Sequence, residues 1–169
     1  MWNRESGCPM HCFSLVVCRH PITQKWLAVE ENKNRGWWLP GGFCECGDNH
    51  EVTAYKETME EAGIDIILKG ILRIENNMTA KGGRQRVIYY AEPKDLQQPP
   101  KTVPDEESKG AAWLSLQDLR DRNKLPRPDG LRGTELLDWA TYIENGGKIY
   151  SLDVFSPESQ PVPSGNITK

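Results

Sequence analysis

The chain has 169 residues, a formal net charge of −3, 37% hydrophobic residues and 27% charged residues. This length and composition predict a single soluble domain with a real core, and the acidic balance disfavours binding of nucleic acid over the whole surface. The best apolar run, Phe13 to Cys18, is far shorter than the roughly 20 residues that a membrane-spanning helix needs.

The predicted elements mix strands and helices without a strict strand-helix-strand repeat. In chain order, strands are predicted at 12–19, 25–30, 36–39, 64–75, 84–91 and 111–116, with turns or loops at 21–24, 40–42, 81–83 and 92–109. Helices are predicted at 49–62, from 115 or 116 to 122, and at 134–144, with Gly63 ending the first. This order predicts an α+β fold or an α/β sandwich.

The proline-rich, polar C-terminus contrasts with the rest of the chain. We expect one domain over residues 1–155 and a disordered tail over residues 156–169. Residues 1–7 are polar and lack the apolar core of a signal peptide, so a cytoplasmic location is expected. The oligomeric state stays open.

The five cysteines form no familiar metal-binding spacing. They are Cys8, Cys12, Cys18, Cys44 and Cys46. Their odd number, without an export signal, favours free thiols over disulfides. A zinc site that includes His11 is the alternative, and it is disfavoured because no pair has the Cys-x₂-Cys spacing.

The first predicted helix carries three glutamates on one face. At about 100° per residue from Glu57, Glu60 falls at about 300° and Glu61 at about 40°. The sequence predicts that this face is free and that the helix packs on the domain through the opposite face, which holds Val52, Tyr55, Met59 and Ala62.

Three neighbouring carboxylates repel one another unless a cation lies among them. Carboxylate oxygens are hard ligands, which favours Mg²⁺, or Mn²⁺, over zinc. Taken alone, however, the helix is more typical of a solvated acidic surface, because such helix faces are common.

The segment from Gly42 to Ile64 resembles the signature of the Nudix hydrolases, G-x₅-E-x₇-R-E-U-x-E-E-x-G-U, in which U is a bulky apolar residue. The matching positions are Gly42, Glu57, Glu60, Glu61, Gly63 and Ile64. The preceding Leu39-Pro40-Gly41 is also similar to the usual approach to this signature. Three positions depart from it, namely Asp48 for Glu, Lys56 for Arg and Thr58 for an apolar residue.

The resemblance implies a Nudix-type α/β/α sandwich around a mixed β-sheet and a Mg²⁺-dependent hydrolase. In this interpretation Glu57, Glu60 and Glu61 bind the metal and take part in catalysis, and the Gly42 carbonyl is a further metal ligand. The general base lies either within the signature or on a later loop, where Glu107 is favoured over Glu106 because it precedes Trp113 by six residues. A charged surface loop is the alternative for both late acids.

The implied substrate is a nucleoside diphosphate derivative, and a nucleoside triphosphate, oxidised or not, is the first hypothesis. Thr79 to Lys81 lack the Pro or Tyr that marks the ADP-ribose and diadenosine tetraphosphate branches, which disfavours both. The alternative function is a catalytically weak module that binds a nucleotide or an RNA end, since Asp48 and Lys56 would brace the loop less tightly than Glu and Arg.

The sequence also suggests residues that contact the substrate. Because Trp37 and Trp38 are adjacent on an extended segment, one should face the core and the other the cleft or solvent. Trp38 is therefore a candidate for stacking on a base, and Arg84 and Arg86, on one side of their strand, are candidates for binding phosphate. A purely structural or solvent-facing role is the alternative for all three.

Overall fold

The computed structural model describes residues 7–121, 125, 130–156, 158 and 161. Its seven strands are β1 (Met10–Cys18), β2 (Trp26–Glu31), β3 (Gly36–Trp38), β4 (Gly41–Phe43), β5 (Ile66–Thr79), β6 (Gly82–Pro93) and β7 (Ser108–Leu114). Its helices are α1 (His50–Ala62), α2 (Leu116–Arg120) and α3 (Glu135–Glu144), followed by a short 3₁₀ turn at Leu152–Val154.

The strands form two sheets rather than one. The first has the order β4-β1-β6-β5, with β1 parallel to β6 and its other pairs antiparallel, and the second is antiparallel with the order β3-β2-β7. The predicted α+β sandwich is confirmed, and its mixed sheet is the four-stranded one.

Alternating side chains of β1 supply two separate cores. Leu15 and Val17 pack in a cluster with Trp139 of α3, whereas Val16 and Cys18 pack in a second cluster with Ala54 of α1. Successive strand residues point to opposite faces, so the β-layer is covered by α1 on one side and by α2 and α3 on the other.

The hairpin of β5 and β6 is longer than the sequence predicts. Thr79 pairs with Gly82, so the expected loop at 81–83 shrinks to a tight turn and Gly82 and Gly83 belong to the strand. At Gly83 an added Cβ would lie 2.5 Å from the Met78 sulfur, so a larger residue would have to displace methionine side chains. The glycines therefore reflect close packing here and not a loop. The expected turn at 40–42 likewise contains β4, which pairs with β1.

The ends of α1 follow the sequence prediction. The Asn49 side chain accepts a hydrogen bond from the backbone of Val52 and caps the first turn. Gly63 ends the helix in the left-handed conformation, with φ of 68°, and its N–H donates to the Met59 carbonyl. The Thr58 hydroxyl donates back to the Ala54 carbonyl at 2.7 Å, which satisfies this buried polar group within the helix.

The predicted orientation of α1 is wrong at three of four positions. Val52, Tyr55 and Met59 are 46%, 41% and 42% exposed. Only Ala62 of the expected packing face is buried, and the helix instead packs through a side that also holds His50, Thr53, Ala54 and Thr58. These residues are mostly small, which lets the helix approach the sheets closely, and the packed side includes the direction of Glu57 and Glu61.

Other expectations concern the cysteines and the termini. All five cysteines are free thiols, as predicted.

Phe155 packs against the ring of His50 with centroids 5.1 Å apart. Of the expected tail, only Ser156, Glu158 and Pro161 are described, so the prediction of disorder for its other residues lies outside the described part. No helix in the described ranges has the length and apolarity needed to cross a membrane.

The orientation of α1 can be tested by one matched pair of substitutions. We expect Met59→Gln to change the free energy of unfolding by no more than about 0.5 kcal/mol, because this side chain is on the surface. Ala62→Gln should lower it by about 2 kcal/mol, because a larger polar group would enter a full core. Urea unfolding of both variants measures these free energies. A larger loss of stability for Met59→Gln than for Ala62→Gln would support the orientation predicted from the sequence.

Candidate active site

The turn between β3 and α1 brings the backbone against two glutamates of the helix. The backbone N–H of Gly41 donates to Oε2 of Glu61 at 2.9 Å. A Cβ added at Gly42 would lie 2.5 Å from both carboxylate oxygens of Glu57. A larger residue at position 42 would displace the Glu57 carboxylate from this position, which gives a physical reason for glycine in the signature.

A buried polar network holds this turn to the start of α1. Ser14, which pairs with Gly42 across β1 and β4, donates its hydroxyl to the His50 carbonyl at 2.7 Å. The other side of the His50 ring lies 3.1 Å from the Gln85 side-chain oxygen. Burial lowers the pKa of His50, so the ring is neutral at pH 7.

Burial and mutual repulsion raise the pKa of two carboxyl groups at this turn. Burial raises the pKa of Glu57 to about 7, with further contributions from Glu60 and Glu107. Burial raises the pKa of Glu61 to about 8, partly offset by the Gly41 N–H. No lysine or arginine in the described ranges forms an ion pair with either group, although Lys56 weakly favours the charged form of Glu57. In the described part of the chain, the two carboxylates therefore have no directly paired cation.

Glu60 occupies the exposed edge of the same helix. Its side chain faces solvent, and its backbone carbonyl accepts from Lys101 Nζ at 2.8 Å. It raises the pKa of Glu57, which places its charge near that carboxyl group. The structure thus brings the three predicted glutamates to one region, with two turned inward and one outward.

The donor set suits a hard divalent cation. Among the described residues no three Asp, Glu, His or Cys side chains already converge into a ready-made metal cluster. Mg²⁺ does not require one, because it commonly keeps several waters and uses one or two carboxylates together with substrate phosphates. Glu57, Glu60, Glu61 and the Gly42 carbonyl are the groups that could hold it.

Glu107 lies close enough to the helix acids to affect their charge. Glu107 raises the pKa values of Glu57 and Glu61, whereas Glu106 is not among the causes of either shift. The Asp105 side chain accepts from the Glu107 N–H at 2.9 Å, and Ser108 donates its hydroxyl to the Glu61 carbonyl at 2.6 Å. These bonds hold the loop before β7 against the end of α1.

Two acids near the site were not identified from the sequence. Glu31, at the end of β2, raises the pKa of Glu61, and Glu45 raises that of Glu57. Glu45 also changes the expected brace, because Lys56 Nζ lies 2.5 Å from Glu45 and 3.9 Å from Asp48. Lys56 therefore lies between two carboxylates, and Glu45 is closer to it than Asp48, whose side chain is one methylene shorter than the Glu of the signature. Neither acid carries a motif that would have marked it.

A cavity of about 590 Å³ lies on the α3 side of the sheets. Its walls include all three residues predicted to contact the substrate. Trp38 is partly buried and lines the cavity, whereas Trp37 is buried in the core, as expected for adjacent strand residues. The three helix glutamates do not line the cavity, which is connected to them along the chain through Leu39, Pro40 and Gly41. We name it the Trp38 cavity.

The arginines of the Trp38 cavity differ in whether they form ion pairs with carboxylates. Arg86 binds Glu75 and Glu135 through its guanidinium, with contacts of 2.5 and 2.8 Å. These ion pairs tie α3 to the sheet and would have to break before Arg86 could bind a phosphate. Arg84 is exposed, and the structure gives it no ion pair in the described ranges.

Arg132 links the Trp38 cavity to the acids and was not identified from the sequence. Its guanidinium lies 4.3 Å from the centre of the Trp38 ring and forms an ion pair with Glu31. Hydrogen bonds between Trp37 and the segment at Gly130 and Arg132 hold it there. A chain of contacts therefore runs from the cavity toward Glu61 through Trp38, Arg132 and Glu31.

Comparisons with known proteins agree with this architecture. The model of the NUDIX domain matches residues 13–139. A Caenorhabditis elegans protein provisionally named nudix hydrolase 1 is 31% identical over 144 residues, which is 80% of this chain and 36% of that protein. The asymmetrical bis(5′-nucleosyl)-tetraphosphatase of Rattus norvegicus is 31% identical over 119 residues, which is 63% of this chain and 79% of that protein.

Among solved structures, a NUDIX hydrolase from Nitrosomonas europaea has a TM-score of 0.63 at 22% identity, covering 88% of this chain and 97% of that one. The chain therefore belongs to the Nudix hydrolase family, and the resemblance of its Gly42 to Ile64 segment is confirmed. It spans little more than a third of the nematode relative.

The raised pKa values of Glu57 and Glu61 predict how stability depends on pH. Both groups bind protons more tightly in the folded state, so their stabilising effect is complete below about pH 4.5 and is lost as pH rises through about 7 and 8. We expect the melting temperature of the metal-free protein, relative to that of Glu61→Gln, to fall by several degrees between about pH 5.5 and 8.5. Gln keeps an acceptor for the Gly41 N–H.

Calorimetry of the parent and Glu61→Gln at the same pH measures the difference between their melting temperatures. Groups that titrate alike in both proteins cancel in this difference. Saturating Mg²⁺ should raise the melting temperature of the parent more at about pH 8 than at about pH 6, because protons then compete less for the carboxylates. A difference between the proteins that does not change with pH would contradict the assignment.

Proposed function

We propose that this chain hydrolyses a diphosphate linkage in a nucleoside diphosphate derivative, with Mg²⁺ or Mn²⁺ as the cofactor. The observation that carries the proposal is the pair of partly buried carboxylates, Glu57 and Glu61, which lie against Gly41 and Gly42 and form no ion pair with a described lysine or arginine. Placing two such charges together without a ligand would cost stability for no structural return.

Glu57, Glu60 and Glu61, with the Gly42 carbonyl, would hold the metal. When bound, the metal neutralises diphosphate oxygens and makes a water molecule more acidic. Glu107 is the proposed general base, because its loop is anchored against α1 and its charge acts on both inner glutamates. Glu107 is exposed, so its carboxylate would be accessible to a water molecule.

The remaining groups bind and orient the nucleotide. A base would enter the Trp38 cavity and stack on Trp38, with Arg132 moving aside or pairing with the phosphate chain. Arg84 is the proposed phosphate contact, since it is not held by carboxylates, and Arg86 supports the cavity wall through Glu75 and Glu135. We place the activity in the cytoplasm.

A nucleoside triphosphate, oxidised or not, remains the first hypothesis for the substrate. The second is a dinucleoside polyphosphate, which is favoured by the 31% identity to the rat bis(5′-nucleosyl)-tetraphosphatase. Phosphate and pyrophosphate release from a panel containing both classes, with and without Mg²⁺, tests the proposal. Tight nucleotide binding without turnover of any member would support the alternative, a binding module.

The metal assignment predicts the effect of neutralising single acids. We expect Glu60→Gln and Glu61→Gln each to lower kcat at least about tenfold at saturating metal, because each removes a ligand charge. Glu51→Gln is the matched control on the same helix and should retain nearly full activity. Near-parental turnover in Glu60→Gln or Glu61→Gln, measured by product release on the best substrate, would remove these residues from the metal site.

The two acids of the loop before β7 provide their own control. Glu107→Gln should lower kcat by about a hundredfold, within the usual range for a general base, whereas Glu106→Gln should have little effect. The pH profile of kcat should lose its acidic limb only in Glu107→Gln. Equal and small effects of the two substitutions would show that this loop is merely a charged surface.

A further inference from the structure

Two cysteines lie opposite each other at the edge of the four-stranded sheet, close to Gly42. Strands β1 and β4 are antiparallel, and Phe13 pairs with Phe43. One residue farther along, the backbone N–H of Cys44 donates to the Cys12 carbonyl at 2.8 Å. The antiparallel register therefore continues past the end of β4 and places Cys12 directly across from Cys44.

This placement satisfies the backbone requirement of a disulfide. Antiparallel partners joined by such a hydrogen bond have Cα atoms about 5.5 Å apart and side chains on the same face. Residues linked by a disulfide have Cα atoms about 4.4–6.8 Å apart. Burial and then the nearby Cys44 raise the pKa of the Cys12 thiol, which agrees with two side chains that lie close together. A bond between them needs no change of register.

The Cys44 thiol also belongs to the polar network that fastens the start of α1. Its sulfur lies 3.5 Å from Nδ1 of His50 and 3.8 Å from the Ser14 hydroxyl. Ser14 donates its one hydroxyl proton to the His50 carbonyl, and Nε2 of the His50 ring donates to the Gln85 oxygen. Nδ1 of this neutral ring is therefore an acceptor, and the Cys44 S–H is its donor.

The five cysteines differ in their access to solvent. Cys12 and Cys44 are half-buried, and Cys12 borders a depression of about 380 Å³. Cys18 is buried in the core, whereas Cys8 and Cys46 are exposed. The pair of Cys12 and Cys44 thus combines access for a small reagent with a partner that the sheet holds in place.

We propose that Cys12 and Cys44 are a redox-sensitive modification site, which a low-molecular-weight disulfide such as oxidised glutathione converts reversibly into an internal disulfide. One protein thiolate attacks a sulfur of the oxidant, which forms a mixed disulfide and releases one small thiol. The other protein thiolate then attacks the protein sulfur of the mixed disulfide and releases the second small thiol. Two electrons and two protons pass from the cysteines to the oxidant.

The disulfide would disturb the support of the proposed metal site. It removes the S–H that Nδ1 of His50 accepts and draws the Cys44 sulfur toward Cys12. His50 is only 6% exposed, so water does not readily replace the lost donor. Because this network holds the Gly42 turn to the start of α1, oxidation should loosen the turn. The effect on turnover rests on the proposed function, whereas formation of the bond does not.

The test begins with incubation of the full chain with excess oxidised glutathione, followed by alkylation of free thiols in denaturant and mass spectrometry. We expect loss of two hydrogens, a peptide linked through Cys12 and Cys44, and recovery of all five thiols after treatment with dithiothreitol. Cys12→Ser should stop at a mixed disulfide. Cys46→Ser is the matched control, because it removes a neighbouring exposed cysteine, and it should form the same internal link as the parent.

Hydrogen exchange provides a readout that needs no substrate. Amides of residues 44–50 should exchange faster in the linked parent than in the reduced parent. On the best substrate, the linked parent should lose at least about tenfold in kcat and regain it after reduction, because small displacements of reactive groups are costly. Cys12→Ser should keep its rate in the presence of the oxidant.

Three results would overturn the proposal. They are the absence of an internal link in the parent, a link that joins other cysteines, and a linked parent with unchanged exchange at residues 44–50 or unchanged kcat. Faster exchange in the linked form of a protein that hydrolyses no substrate would support the redox site and would count against the proposed function alone.

Discussion

The burial of Glu57 and Glu61 against the Gly41–Gly42 backbone is the constraint on which the site depends. A carboxylate within a packed layer is stable only when it is hydrogen-bonded, protonated or matched by a cation. Here one hydrogen bond from Gly41 reaches Glu61, and the pKa of Glu61 still rises to about 8. The fold thus holds the two groups where a divalent cation would stabilise their charged form.

Much of the surrounding structure serves to keep that arrangement in place. β4 is short and lies at the edge of its sheet, yet Ser14 and His50 fasten it and the start of α1 to β1. At the other end of α1, Ser108 binds the Glu61 carbonyl and holds the loop that carries Glu107. A rigid frame at both ends of the helix is what positioning of reactive groups requires.

The Trp38 cavity is organised by charge pairing on the opposite side of the sheet. Arg86 joins β5 and α3 through Glu75 and Glu135, and Arg132 joins Trp38 to Glu31. Glu31 is shared between this network and the acid group, because it also raises the pKa of Glu61. Displacement of Arg132 by a ligand would therefore alter the electrostatic environment of the glutamates.

The sequence by itself determined the features that depend on neighbours along the chain. The ends of α1 follow from Asn49 and Gly63, and the inward and outward directions of Trp37 and Trp38 follow from the period of a strand. The order of glycines and glutamates from Gly42 to Ile64 was sufficient for the family. Only the tertiary structure decided which side of α1 is buried, since apolar Val52, Tyr55 and Met59 point outward while Glu57 and Glu61 are drawn inward by hydrogen bonding and close packing with the glycine turn. Likewise Glu31, Glu45 and Arg132 reach the site through strand pairing and loop closure between distant residues, and such contacts leave no local pattern in the sequence.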